Sequence, residues 1–284
     1  MESLLKRAEV LLHRLEALLP PAPVEPDWTA HAFRWRRQQG RGQLQAVRQP
    51  HHIGLNDLRD VDAQKETLER NTRQFLQGLP ANNVLLTGAR GTGKSSLVKA
   101  LMTEFAAEGL RLVEVDKVDL VDLMEIADLL RGRRERFIIF CDDLSFDADE
   151  PGYKALKVAL DGSVVAAADN MLIYATSNRR HLMPEFMSEN LETKYVGDEI
   201  RPGETIEEKI SLSERFGLWL SFYPFDQEAY LNIVRHWLRS FGITRFTPQA
   251  RRAALQFALG RGSRSGRVAW QFARDWAGQQ GLRG

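Results

Sequence analysis

A single cysteine, Cys141, stands among 284 residues, so no disulfide can form within the chain, and a disulfide-stapled secreted scaffold is excluded. No run reaches the roughly 18 uninterrupted apolar residues of a membrane-crossing helix. The N-terminus carries an acid at its second residue and alternates leucine with charge, unlike a signal or transit peptide. Those absences lead to the expectation of a cytoplasmic protein. An excess of charge of one sign is missing too: Lys and Arg number 39, Asp and Glu 38, for a formal net charge of +1. Internal repeats, heptad arrays and low-complexity tracts are lacking, which sets aside solenoids and coiled coils. What is there is a hydrophobic fraction of 43% and a charged fraction of 27%. These are ordinary for a globular chain with a sizeable core and argue against disorder.

Residues 2–19 place Leu4, Leu5, Ala8, Leu11, Leu12 and Leu15 at helical spacing with charges between them, which predicts an amphipathic helix. Pro20, Pro21, Pro23 and Pro26 then make a stiff linker. Across 31–52 there are five arginines and no acid, read as a basic arm. A helical pattern over 56–78 leads into a strand at 83–87. From there short apolar strands (110–115, 137–141, 171–176, 218–222) alternate with helical patterns near 94–108, 121–131 and 152–160. That alternation predicts a doubly wound parallel sheet with helices on both faces. The tail is helical only, at about 226–241, 248–259 and 266–278. The expected organisation is therefore an N-terminal extension (1–52), an α/β nucleotide-binding core (53–224) and a small α-helical domain (225–284).

Gly88, Ala89, Arg90, Gly91, Thr92, Gly93, Lys94 and Ser95 satisfy G-x-x-x-x-G-K-[ST] between an apolar strand and a helix, the context that this pattern requires. The glycines let backbone N–H groups wrap a phosphate, and the positive end of the helix dipole, with Ser96 in its first turn, adds to the attraction. Lys94 is assigned to the β- and γ-phosphates and Ser95 to Mg2+. A chance glycine-rich turn is the bland alternative, and the flanking strand and helix count against it.

The strand Phe137–Cys141 runs into Asp142 and Asp143. Two adjacent carboxylates repel, so their placement at the end of a buried strand calls for a cation or a catalytic task. Asp142 is the candidate Mg2+ ligand, directly or through water, and Asp143 the residue that polarises attacking water. Many such sites carry Glu where Asp143 stands. Asp is one methylene shorter, so either the water sits closer or hydrolysis is slow. Strand 171–176 ends in Thr176, Ser177 and Asn178, whose amide can bond a γ-phosphate or orient water. Cys141 reads as a small buried core residue.

In this order the phosphate loop, the acidic strand end, the Thr-Ser-Asn strand end and the helical tail resemble the AAA+ ATPases, over roughly residues 55–280. More closely, Ala81–Leu86, Gly88–Leu97, Cys141–Phe146 and Tyr174–Leu182 look like a bacterial AAA+ family known mainly as a domain of unknown function. The resemblance implies an AAA+ core with a C-terminal helical lid, ATP and Mg2+ as ligands, and a nucleotide-dependent homo-oligomer, ring or open ring. By position it implies an arginine finger at Arg215, acting on a neighbouring subunit's γ-phosphate, and a lid arginine at Arg267, with Arg264 as the alternative. Arg215 paired locally with Glu214 or Glu207 is the competing reading. Residues 116–130 contain no aromatic residue and no glycine, unlike the pore segment of unfoldase-type relatives, which counts against a threading unfoldase. No Asn-Lys-x-Asp segment follows, so ATP is favoured over GTP.

The near-zero net charge conceals an uneven distribution. From Arg235 onward there are ten arginines, no lysine and one acid, Asp275. From Glu114 to Glu150 there are twelve acids against five bases. Two solvated faces, a basic lid docking on the acidic face of the next subunit, and arginines tracking nucleic acid are the readings that this allows. The leading function is an Mg2+-dependent ATPase that remodels or regulates a macromolecular partner, foremost a protein. A slow nucleotide-gated switch or scaffold and a DNA-associated loader stand beside it.

Overall fold

The computed structural model describes residues 25–38, 40–50, 52–146, 150–161, 169–178, 194–196, 199–201 and 212–281. The expected helix 2–19 lies outside the described residues. Among the described residues no helix is long and apolar enough to cross a membrane.

Seven strands form one sheet: β1 (Ala32–Gln38), β2 (Arg41–Ala46), β3 (Val84–Gly88), β4 (Leu110–Glu114), β5 (Arg136–Cys141), β6 (Met171–Ser177) and β9 (Leu218–Phe222). Their order is β2-β1-β4-β5-β6-β3-β9. All neighbours run parallel except the β1–β2 hairpin. A separate antiparallel pair joins β7 (Lys194–Val196) to β8 (Glu199–Arg201). The first strand of the alternating pattern, β3, thus lies inside the sheet between β6 and β9. Ligand crevices of open α/β sheets form where strand order reverses in this way.

The core strands are apolar on both sides because helices cover both faces. On β5, Phe137 and Ile139 join one buried cluster with Ile173 and Leu156. Ile138 and Phe140 join the other, with Leu97 and Leu101 of α2 (Lys94–Phe105). Helix α1 (Asp62–Leu76) is tied to the sheet by buried polar contacts. Asn71 Nδ2 donates to Tyr174 Oη at 3.0 Å, and Thr72 Oγ1 lies 2.9 Å from the same oxygen. Among the described residues, helices α3 (Leu123–Leu130) and α4 (Pro151–Asp161) complete the α/β part. Cys141 is fully buried, and burial pushes its thiol up to about 12, so it is an inert core residue.

Three helices follow the last strand: α5 (Gln227–Ser240), α6 (Pro248–Gly260) and α7 (Gly266–Gly281). Asp226 and Thr247 cap α5 and α6 by accepting from Ala229 N and Ala250 N, and Pro248 fits the first helical turn because the N–H it lacks would be unbonded there anyway. Tyr230, Val234, Ala254, Ala269 and Phe272 make a core for these helices alone.

The segment expected as a basic arm is part of the sheet. Phe33 and Trp35 are 1% exposed, while Arg34 and Arg36 point away and pair with Glu114 (2.8 Å) and Asp116 (2.5 Å). Arg37 Nε donates to Asp122 at 2.8 Å, and Trp35 Nε1 reaches the same carboxylate. The physical reason is a period of two: alternate residues bury aromatic rings, and the arginines between them meet acids about 80 positions downstream. The apolar content of β1 is thus large enough to add two strands to the sheet.

Candidate functional site

Strand β3 ends at Gly88, whose backbone presses on its neighbour β9. A Cβ there would lie 1.9 Å from the Phe222 carbonyl oxygen, and φ is +130°. The loop 89–93 then turns into α2, with Gly93 at the N-cap in a left-handed conformation. Thr92 Oγ1 donates to Ala89 O at 2.8 Å and steadies the turn. Gly91 faces the three-helix unit: its carbonyl accepts from Gly266 N at 2.8 Å, and a Cβ on it would lie 2.8 Å from Ser265 Oγ.

Parallel register brings the other strand ends beside this loop. Leu86 and Thr87 pair with Thr176 and Ser177 of β6, and Cys141 of β5 pairs with Ala175. Lys94 is 5% exposed. Its ammonium donates to Gly88 O (2.7 Å), Ala89 O (2.8 Å) and Asn178 Oδ1 (3.0 Å). Burial holds Lys94 below the ordinary lysine value, against the opposing pull of Asp143 and Asp142, and Arg90 adds to the lowering. A buried cation beside a row of amides is a ready anion site.

Asp142 Oδ1 accepts from Ser95 Oγ at 2.5 Å and from Thr176 Oγ1 at 2.6 Å. Thr176 Oγ1 in turn accepts from Asp143 N at 2.9 Å. The Asn178 amide donates to Asp143 Oδ1, so Asn178 spans Lys94 and Asp143. Asp143 has φ +53°, and among described non-glycine residues only Asp60 shares a positive φ. A carboxylate held on sparsely populated backbone at a strand end is the kind of strain that persists where neighbouring contacts enforce it.

These groups line one cavity of about 600 Å³. The same cavity has apolar lining from Ile53, Leu58, Phe225, Trp237 and Trp270. This lining joins the lead-in to α1 with α5 and α7, and His236 Nε2 lies 3.2 Å from Asp57 Oδ1 across that junction. A lining that combines a buried cation and polar groups with aromatic rings suits a ligand carrying both phosphate and a flat apolar ring. A hydroxyl and a carboxylate among those polar groups, Ser95 and Asp142, are hard oxygen donors of the kind Mg2+ takes when phosphate and water complete its shell. Among described residues no group of three or more His, Cys, Asp or Glu could hold a metal without such help.

All residues expected from Arg90 to Ser96, with Asp142, Asp143, Asn178 and Arg267, line this cavity. Arg215 and Arg264 do not line it. Arg215 Nε donates to Asp161 Oδ1. The aromatic lining and Arg59 have no local signal in the sequence, since they come from segments far apart in the chain. Thr176 was visible in its strand, but its bridge between two carboxylate-bearing residues depends on β5–β6 pairing.

The sheet order and this site define an α/β fold of the P-loop type. The chain belongs to the family described as "Protein of unknown function (DUF815)", which it matches over residues 28–280. Among solved structures it is similar to the Aeropyrum pernix ORC1 protein in complex with DNA. The TM-score is 0.55 at 15% identity, covering 80% of this chain and 62% of that one. The chain thus spans less than two thirds of the ORC1 chain's length. Trip13 of an E. coli MS115-1 HORMA:CdnC:Trip13 complex scores 0.47 at 14% identity, covering 78% of this chain and 90% of that one. A RuvB variant from Thermotoga maritima scores 0.42 at 14% identity, covering 78% and 71%. No curated protein matches the sequence.

Proposed function

We propose that this chain is an Mg2+-dependent ATPase that couples the binding and hydrolysis of ATP to work on a macromolecular partner. The observation that supports it most is the hydrogen-bonded convergence of Lys94, Ser95, Asp142, Asp143 and Asn178 on one cavity that aromatic residues also line. Backbone amides of 88–96 cradle the phosphates, and Lys94 exchanges its loop-carbonyl bonds for phosphate oxygens. Ser95 and Asp142 would hold Mg2+, which would supply neutralisation of the phosphates' negative charge. Thr176 keeps Asp142 turned toward Ser95.

In this reading Asp143 and Asn178 orient the attacking water, and Asp143 accepts its proton. The three-helix unit acts as the lid, with Arg267 facing the phosphate end. Arg215, outside its own cavity, serves a neighbouring copy in a homo-oligomer, where it offsets charge that develops on the γ-phosphate.

A slower, switch-like use of the same chemistry is favoured by one observation. Asp143 is short, held at φ +53° and already engaged by the Asn178 amide. Steady-state phosphate release in the presence of Mg2+ separates the two: many turnovers per minute fit a motor, and near-stoichiometric release fits a switch.

The central reading is tested by equilibrium binding of ATP with Mg2+ to the intact chain and to Lys94→Ala. Binding should be lost in the variant while its thermal melting shows a folded protein. Undiminished affinity in Lys94→Ala overturns the assignment.

A further inference from the structure

The acidic and basic stretches of the sequence meet different fates in the fold. Glu114, Asp116 and Asp122 are engaged by Arg34, Arg36 and Arg37 of the hairpin. Glu150, Asp128 and Glu135 pair with Lys117, Arg131 and Arg133. Only the first three pairs draw bases from outside the stretch, so its excess of seven acids falls to four within its own chain. That weakens the electrostatic match on which a basic helical unit would dock against the acidic face of another copy.

The basic stretch keeps its charge. Nine arginines lie between Arg235 and Arg274. Among the described residues only Arg251 has a carboxylate partner, Glu228, at 3.2 Å on the surface. Asp275, the one acid after Arg235, accepts instead from Gln279. Three of the arginines rest on rings: Arg235 on Phe246, Arg261 on Phe257 and Arg274 on Trp270, each 5.2–5.3 Å from the centroid. Such stacking holds a guanidinium plane in place and leaves its N–H edge available.

Placement orders these charges along one helix. Arg239, Arg245 and Arg252 are exposed around the α5–α6 corner, and Arg261 and Arg264 are exposed at the α6–α7 corner. Helix α6 has 13 residues and no acid, so the two corners stand about 20 Å apart at 1.5 Å per residue. Between them Arg252, Gln256 and Leu259 are exposed at i, i+4 and i+7, which puts them on one face. Leu259 is 83% exposed there.

We propose that this surface, from the α5–α6 corner along α6 to the α6–α7 corner, binds the phosphate backbone of a nucleic acid. Phosphates recur every 3.4 Å or so of axis along each strand of a duplex, so a stripe of this length meets several at once. The use of arginine without a single lysine suits the planar, bidentate recognition of phosphate. The uncovered Leu259 and Gln256 supply apolar and amide contact between the charged ends.

The test uses the full chain and fluorescein-labelled duplex DNA, single-stranded DNA and RNA of one sequence, followed by anisotropy across a salt series. At least one probe should bind, with a log–log salt slope of about −3 for a duplex. The double variant Arg239→Gln/Arg252→Gln should bind at least about tenfold more weakly, with a slope shallower by roughly 2. Its ATP affinity, followed through Trp237 and Trp270 fluorescence, should be unchanged, which shows that the fold and the nucleotide cavity persist. Absence of binding to all three probes at low salt overturns the proposal. So does undiminished binding in the double variant, or competition by polyglutamate as effective as by unlabelled nucleic acid, which would point to an acidic protein. Loss of ATP binding in Lys94→Ala is read independently, so failure of the ATPase assignment and failure of this surface are distinguishable.

Discussion

The indole of Trp35 donates its Nε1 hydrogen to Asp122 Oδ2 at 2.9 Å, joining a strand near the start of the described chain to the 3-10 helix Lys117–Asp122. Trp35 is 1% exposed, so its polar hydrogen has no water to fall back on. Burial alone would raise the Asp122 carboxyl, but the Arg37 and Trp35 hydrogen bonds outweigh it and hold the group below the usual carboxylate range.

Asp122→Ala should therefore lower stability by about 2 kcal/mol, because it strands a buried donor. Chemical denaturation checks this. A group whose folded pKa is depressed stabilises above its unfolded value, and that stabilisation is lost as pH falls through the folded one. In the parent the Asp122 contribution should be intact near neutrality and disappear only in acid below the ordinary aspartate value of 3.8. An acid titration of the variant should lack that component.

Lys94 gives the opposite dependence. Its ammonium is held below the ordinary value of 10.5, mainly by burial. Phosphate is attracted to the charged form, so ATP affinity should decline as the pH rises toward that value, starting earlier than an ordinary lysine would permit. Binding isotherms in alkaline buffers measure it. Constant affinity up to the ordinary lysine pKa would assign the phosphate contact to other groups.

Asp143→Asn should retain ATP and slow hydrolysis by roughly 10²–10⁴-fold, the usual worth of a positioned base. Single-turnover measurements separate this from slow product release. Normal turnover would require another base.

Arg215→Ala should keep nucleotide affinity and lose turnover, whereas removal of its partner by Asp161→Ala should leave turnover largely intact. Mixing Arg215→Ala with Asp143→Asn should restore part of the activity if one copy's arginine serves another copy's site. Equal damage from Arg215→Ala and Asp161→Ala, with no recovery on mixing, would make the pair purely structural.

Gly91→Ala should weaken ATP binding without unfolding the α/β core. The residue has φ +74°, and its new Cβ would lie 2.8 Å from Ser265 Oγ, so the loop and the start of α7 must part. Trp270, on α7 and in the cavity wall, reports this as altered fluorescence.

Much of the core and of its phosphate end was legible because local signals agreed. Apolar strands, helical periods and the Gly88–Ser95 spacing all pointed the same way, although the helix expected over 56–78 starts only at Asp62, after a 3-10 turn at Leu55–Asp57. The hairpin differs from the expected basic arm because five arginines in 31–52 dominate the charge pattern of a segment that also carries strand alternation. Phe33 and Trp35 alternate there with Arg34 and Arg36, and Gly40 stands at the turn with φ +80°. The partners of those arginines could not be read, since their pairing depends on β1 lying beside β4. The aromatic lining was hidden for the same reason: Leu58, Trp237 and Trp270 converge only after the sheet and the three helices have packed.

The hairpin also settles how the sheet ends. Strand β2 is its outermost member and reads Arg41, Gly42, Gln43, Leu44, Gln45, Ala46, with no β-branched residue. Among the described residues no strand pairs with its outer side. An edge made of arginine, glycine and glutamine is a poor template for further strands. The β2 rim of the sheet is thereby guarded against edge-to-edge aggregation, which leaves β9, reading Leu218, Trp219, Leu220, Ser221 and Phe222, as the edge with the stronger strand-forming residues.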